Sequence, residues 1–321
     1  MVDIPFVAPL EDVHYGRVEQ VSPWIRRVIA NNPSKYSYRG TGTYIVGHGD
    51  VAVIDPGPDL AGHRQALAAA LDGETVRAIL VTHCHADHSP LSAWLKAYTG
   101  APTIGFGPHG QIESEPDDDG PTGPNGADES TRESIDLEFV PDIAAADGDV
   151  VAEIGEIVLR SVHTPGHTSN HLCYAFDAEH ALFTGDHVMG WSTTVVSPPD
   201  GDMRDYMESL RRVAARGDAI LWPTHGNPVT DPAPFLSAYF AHRVDRERQI
   251  VDIVRSGVDR IPAMVAVLYA DVRIELHKAA GRSVLAHLLK LVDDGVVGTD
   301  TQSGRPTLKS SFTPNQISGL S

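Results

Sequence analysis

Cysteine is scarce: the 321-residue chain contains only Cys84 and Cys173. Two thiols cannot staple a chain of this length, which excludes a disulfide framework and fits a reducing compartment. No run of about 20 apolar residues occurs, so no transmembrane helix is expected. The opening stretch MVDIPFVAPLEDVHYG lacks the basic segment followed by an apolar one that marks a secretory signal. A cytoplasmic location is therefore expected. Basic side chains are also few, with 25 Lys+Arg against 43 Asp+Glu and a net charge of −18. The imbalance is local. Residues 231–321 hold 11 basic and 10 acidic side chains, leaving 14 against 33 for residues 1–230. Within that part, residues 107–149 carry 13 acidic side chains and one basic, Arg132. Such a surface repels phosphate backbones and offers no electrostatic footprint for nucleic acid. Solubility is sufficient reason for it.

What is present is a 41% hydrophobic content, enough for a substantial core, and 29 Gly and 23 Pro, which imply many turns. The length suits one large domain, 1–230, followed by a small one, 231–321. Two β-rich runs at 43–46 and 51–54 flank GHGD and predict a hairpin. Residues 60–73 have helical spacing, and VRAILVT (76–82) reads as a buried strand. SPLSAWLKAYTG (89–100) predicts a helix with Ser89 as N-cap, Pro90 at its first position and Gly100 closing it. PTIGF is a short strand. The acidic insert 107–149 is poor in apolar residues up to about 143 and reads as a mobile surface loop. Strands are expected over 150–166, 172–176, 181–186 and 219–226, with a helix over 202–216. A long helix should fill 231–257 with Asp231 as N-cap, then helices near 261–270 and 273–294 and a strand pair within 295–312. Three helices and a terminal hairpin suggest a winged-helix-like unit. No internal repeat is found.

VTHCHADHSP (81–90) places His83, His85, Asp87 and His88 within six positions, directly after a buried-type strand. Neutral imidazole and carboxylate are the ligands of zinc, iron and manganese. On extended backbone His83 and His85 point to one side, while Asp87 and His88 follow where the chain turns. One short loop can thus serve two neighbouring metal ions. Further donors end other strands: His167 in HTPGHTSNH, Asp186 after ALFTG, and His225 in WPTHG. Cys84 sits inside the cluster, most simply as a small neighbour pointing away.

Four motifs in order, THCHADH, HTPGHT, LFTGDH and PTHG, resemble those of the metallo-β-lactamase superfamily. The resemblance implies a four-layer αβ/βα sandwich of two mixed sheets. It implies one metal held by His83, His85 and His167, a second held by Asp87, His88 and His225, and Asp186 bridging both. Asp55, in VAVIDPGP, matches an early strand-end aspartate that supports the site by hydrogen bonding to a ligand histidine. NNPSKYSYRGTGTYIVG, TPGHTSNHLCYAF, LFTGDHVMGWSTTVVSPPDGDMRDYMESLRRV and HRVDRERQIVDIV narrow the likeness to the lactamase-beta-2-like branch, which carries a C-terminal winged helix. It spans residues 20–312. The chain departs from it in having DHSPL where members often have DHSGG, and in its long acidic insert. Both bear on substrate specificity.

His171 and Trp191 are candidates for substrate contact, with turn stabilisation and packing as their alternatives. His163 shares the first of these alternatives, and His187, next to Asp186, should point out of the site. The chemistry expected is that of a dinuclear hydrolase. Two divalent cations, zinc first with iron or manganese as alternatives, lower the pKa of a shared water from about 15.7 to near 7. The hydroxide attacks an ester, thioester, lactone or lactam carbonyl, with Asp186 and Asp87 as the catalytic carboxylates. No G-x-S-x-G elbow surrounds Ser169. Two other readings remain: a metal-dependent endoribonuclease acting on single-stranded RNA, and a winged-helix nucleic-acid-binding or interaction protein with a relic metal site. Charge disfavours RNA as a partner, and the complete donor set argues against a relic. The partner expected is a small-molecule substrate, without a membrane, and the oligomeric state is left open.

Overall fold

The structure is a computed structural model that describes residues 2–110, 134–270, 274, 277–302 and 304–315. Strands β1 (Val18–Gln20), β2 (Ile25–Ile29), β3 (Gly42–His48), β4 (Asp50–Ile54), β5 (Thr75–Leu80), β6 (Thr103–Gly105) and β7 (Ile143–Ala144) form one sheet in chain order. It is antiparallel up to β4 and parallel from there on. Helices α1 (Ala61–Ala70) and α2 (Leu91–Thr99) supply its crossovers. The second sheet has the order β12-β11-β10-β9-β8, from β8 (Val150–Ile154), β9 (Ile157–His163), β10 (Leu172–Phe176), β11 (Ala181–Gly185) and β12 (Ile220–Pro223). Helix α3 (Met203–Arg216) joins β11 to β12, which pair in parallel.

Side chains alternate across each strand, and this alternation sorts the sequence into layers. Tyr44, Val46, Ala52 and Ile54 from one sheet meet Leu172, Tyr174, Phe176 and Phe183 from the other in a shared core. Their neighbours Ile45, Val51 and Val53 face the opposite way, onto Leu67, Leu91 and Leu95 of α1 and α2. Cys173, Ala175 and Leu182 likewise face Tyr206 and Leu210 of α3 and Phe235, Leu236 and Tyr239 of α4 (Pro232–Arg255). The layers therefore run helices, sheet, sheet, helices, which is the four-layer αβ/βα sandwich expected.

Helix α4 continues beyond the sandwich. Its Ile250 and Val254 pack with α5 (Ile261–Leu268), α6 (His277–Asp293) and the antiparallel pair β13 (Val297–Thr299) and β14 (Phe312–Pro314). This is the winged-helix unit.

Two local expectations change. Pro90, not Ser89, occupies the cap position of α2, and Ser89 Oγ instead donates to Asp136 Oδ2 at 2.7 Å. The acidic insert does not read as a loop throughout. Residues 111–133 lie outside the described residues, but 134–149 pack down. Ala86 N–H donates to Ser134 O, Asp136 N–H to Cys84 O, and Phe139 is buried against Val81 and Cys84. Buried Phe139 and these backbone hydrogen bonds hold the return segment on the histidine loop, an effect that the net charge of the insert masks.

Candidate metal centre

The donor side chains converge at one end of the sandwich, where β5, β11 and β12 stop. In a first group His83 Nε2 lies 2.8 Å from His85 Nδ1, which lies 3.1 Å from His167 Nε2. In a second, His225 Nε2 lies 3.2 Å from Asp87 Oδ2, and His88 Nε2 lies 3.6 Å from Asp87 Oδ1. Asp186 Oδ1 stands beside the second group, 3.4 Å from His225 Nε2 and 3.6 Å from His88 Nε2, and falls in one donor group with His83 of the first. Three donor groups result: His83–His85–His167, His83–His88–Asp186 and Asp87–His88–His225, each with its atoms within 4.8 Å of one another.

The far nitrogens of these imidazoles are tied back, which turns the near ones inward. His167 Nδ1 donates to Val195 O at 2.6 Å, His225 Nδ1 to Gly40 O at 3.2 Å, and His88 Nδ1 to Asp55 Oδ2 at 2.9 Å. What remains facing the cluster is unusual for a protein interior. His88 Nε2, His225 Nε2 and Asp186 Oδ1 are buried without a hydrogen-bond partner. Unsatisfied buried polar atoms are costly. A cation among them would satisfy all three at once, so the donor set fits a metal.

The electrostatics divide the cluster. Burial, reinforced by neighbouring imidazoles, pushes His83 and His85 well below the usual histidine range, so they are neutral lone-pair donors. His88 and His225 are buried too, but the Asp87 and Asp186 carboxylates outweigh burial and raise both, His225 to about 10. Those carboxylates, despite burial, are held below their usual range by the two imidazoles. The second group thus holds protons where a cation would sit.

Support comes from Asp55, which the resemblance had marked, and from residues that the sequence reading passed over. Asp55, at the end of β4, accepts from Thr82 N and Oγ1 and from Thr224 Oγ1 at 2.8–2.9 Å, besides holding His88. It therefore ties three strand ends to one carboxylate. Thr82 and Thr224 each precede a donor histidine, and that repeated Thr-His pair was the signal available. Two core tyrosines do similar work. Tyr174 Oη donates to Val81 O at 2.7 Å and Tyr44 Oη to Pro223 O at 2.6 Å, just ahead of His83 and His225. Burial pushes Tyr44 up to about 12 and Tyr174 well above its usual range, so both remain donors. Thr194 Oγ1 donates to Asp186 O, while Arg243 and Tyr239 of α4 hold Thr194 through its carbonyl and N–H.

His171 does not face the substrate side. It is fully buried behind Asp186, whose N–H it accepts on Nε2 at 3.2 Å, and its Nδ1 donates to Thr164 Oγ1 at 2.8 Å. With both ring nitrogens engaged it is a prop for the Asp186 backbone. Gly185 makes room for it: φ is +50°, and an added Cβ would meet His171 Nε2 at 2.7 Å and Thr82 Oγ1 at 2.9 Å. His187 is buried against the Tyr206 ring, 4.9 Å between centroids. Cys84 points away from the cluster into the small apolar contact with Val81 and Phe139, where Asn170 Nδ2 reaches its sulfur at 2.9 Å and burial pushes the thiol up to about 11. Trp191 is half-buried beside the second group and stacks on Tyr38, 4.6 Å between centroids.

Residues 39–225 match the metallo-beta-lactamase superfamily and residues 261–305 the beta-lactamase associated winged helix domain. The chain belongs to the metallo-beta-lactamase superfamily, and it is a hydrolase of that superfamily whose fold implies a divalent metal at the His/Asp cluster. Among curated relatives, an atrochrysone carboxyl ACP thioesterase of Aspergillus chevalieri is 30% identical, covering 92% of this chain and 88% of its own length. Beta-lactamase-like protein 2 homolog of Caenorhabditis elegans is 29% identical, covering 88% and 89%. Among solved structures, a beta-lactamase domain protein from Burkholderia ambifaria shares the fold with a TM-score of 0.73 at 21% identity, covering 97% of each chain. A metallo-beta-lactamase family protein from Thermus thermophilus has a TM-score of 0.70 at 22% identity, covering 92% of this chain and 100% of that one. No helix among the described residues is long and apolar enough to cross a membrane.

Proposed function

We propose that the protein is a dinuclear metal hydrolase of small carbonyl substrates, with thioesters first among esters, lactones and lactams. The observation that carries this reading is the run of three overlapping donor groups, the first two sharing His83 and the last two His88, with the Oδ1 of Asp186 in the middle group buried and unpartnered. Thioesters come first because several curated relatives bear the name thioesterase. In this reading His83, His85 and His167 would hold one cation, Asp87, His88 and His225 would hold the other, and Asp186 would serve both. Residues 1–230 form the catalytic domain and 231–321 the winged-helix-like domain. Zinc suits the nitrogen-rich first group, and iron or manganese suit the donor types as well.

When bound, divalent cations supply Lewis acidity, which ionises water near neutral pH and polarises a carbonyl oxygen. The chain's own residues do the rest. Asp55, Val195 O and Gly40 O fix three imidazoles so that only one nitrogen of each faces the reacting volume. The Asp186 and Asp87 carboxylates orient the attacking water and accept its proton, which one of them passes to the departing thiolate or alkoxide. The buried floor formed by His83, His88 and His171 excludes other water from below.

The test is metal analysis beside turnover. Purified protein should carry close to two metals per chain, and chelation should abolish thioester hydrolysis. Asp87→Ala or His225→Ala should remove mainly the second metal. His83→Ala should remove mainly the first metal, because His83 is a donor of the His83–His85–His167 group. Unchanged metal content and activity in His83→Ala would overturn the assignment. Single-stranded RNA assayed in parallel should not be cut.

A further inference from the structure

One cation near the donor cluster has no assigned task. Arg26, Arg27, Arg64 and Arg77 of the same sandwich are each matched with an acid, namely Glu74, Glu19, Asp59 and Asp50. Arg39 is exposed, and among the described ion pairs it has no acidic partner. Its guanidinium folds back over the ring of Tyr38, 5.5 Å from the centroid. Tyr38 in turn stacks on Trp191 at 4.6 Å and 13°. Trp191 abuts Gly226, where an added Cβ would come within 3.0 Å of its Cδ1. The stack therefore runs from Arg39 to the residue that follows His225. The backbone makes the same connection: Gly40 O accepts a hydrogen bond from His225 Nδ1, and Thr41 Oγ1 lies 3.2 Å from Asp87 Oδ2.

Tyr38 keeps this place at a cost. Its φ is +56°, a left-handed conformation that is disfavoured for a bulky side chain and that persists where the surroundings over-determine it. The half-buried aromatic pair holds the guanidinium on the loop whose Gly40 and Thr41 contact His225 and Asp87. Guanidinium binds carboxylate and phosphate with charge-assisted, directional hydrogen bonds. A cation fixed at that spot selects for an anion that arrives there.

Resting on the hydrolase reading above, we infer that Arg39, carried on the Tyr38–Trp191 stack, is a specificity-determining residue that binds an anionic oxyacid group of the substrate, distinct from the carbonyl under attack. That group is a carboxylate on the acyl part or a phosphate on the leaving part.

The test uses the full-length, metal-loaded protein and four thioesters: acetyl and succinyl groups, each on N-acetylcysteamine and on coenzyme A. Arg39→Gln should raise KM about tenfold for substrates that carry the recognised anion, with kcat unchanged. It should leave acetyl-N-acetylcysteamine unaffected. A shift that follows succinyl assigns the carboxylate, and one that follows coenzyme A assigns the phosphate. Arg39→Lys should recover part of the loss, and Tyr38→Leu should reproduce it by removing the platform. An equal KM change on all four substrates, or none on any, overturns the inference. If none of the four is turned over, the hydrolase reading fails on its own, and Arg39 is then judged by binding. Calorimetry with succinate and with coenzyme A at low salt should show at least fivefold weaker binding of one of them by Arg39→Gln. Equal or undetectable binding by both proteins overturns the inference.

Discussion

Asp55 is the residue on which most local order converges, since one buried carboxylate accepts hydrogen bonds from Thr82, Thr224 and His88. Asp55→Asn keeps the volume but places an amide hydrogen-bond donor against at least one of these donors. Loss of such a support typically weakens metal affinity 10–100-fold, and competition with a chromogenic chelator should show a loss of about that size. His225 and His88 make a second prediction. In the metal-free protein the carboxylates overcome burial and hold His225 at about 10. A group raised on folding stabilises fully below its unfolded value, about 6.5, and the stabilisation is lost as pH rises through the folded value. Metal-free protein should therefore melt at progressively lower temperature from about pH 7 to pH 10. A cation has to displace the same protons, so metal uptake should strengthen with pH and release protons. Calorimetry in buffers of different ionisation heat measures that release, and no release would contradict the assignment of charge.

Among the elements, the turn after β11 is held from three directions. Thr194 caps Asp186 O, Arg243 and Tyr239 reach Thr194 from α4, and Val195 O fixes His167. Arg243→Met should thus lower affinity at the first donor group more than at the second, although no ligand is altered. Cobalt-substituted protein would show the difference in its absorption spectrum, and Arg243→Lys should restore part of it. Gly185→Ala, by contrast, should cost a few kcal/mol of stability, since it sets a Cβ into His171 and Thr82 on left-handed backbone. These elements also mark where sequence reading stops. His83, His85, Asp87 and His88 were legible because one loop carries them all, and most strands were legible as β-rich or buried runs, although β1 and β2 were missed. Tyr174, Tyr44, Thr194 and Arg243 were not, because each acts on a partner far along the chain and looks locally like ordinary core or helix. His171 misled for the same reason: proximity in sequence to His167 does not say which side of Asp186 a ring will occupy. Residues 134–149 misled through composition, since one buried ring and two backbone hydrogen bonds anchor the segment despite the charge around it.

At the scale of the molecule, α4 belongs to two cores. Phe235, Leu236 and Tyr239 sit in the sandwich, while Ile250 and Val254 sit with α5 and α6. Each large side chain buried by the first half contributes about 1.5–3 kcal/mol, against a typical domain stability of about 5–15 kcal/mol. A fragment of residues 1–230 should therefore fail to hold metal, while 1–256 should fold and bind it, as metal analysis after gel filtration would show. Loss of metal by both fragments would instead make the C-terminal unit indispensable. The shared rod also limits how such a protein can be recombined. A swap of the tail between relatives spliced at the start of α4 would graft foreign aromatic knobs into the native sandwich, whereas one spliced near Ser256 leaves those knobs with the partners they evolved beside. Shuffled libraries should accordingly yield viable hybrids at the later junction and few at the earlier one.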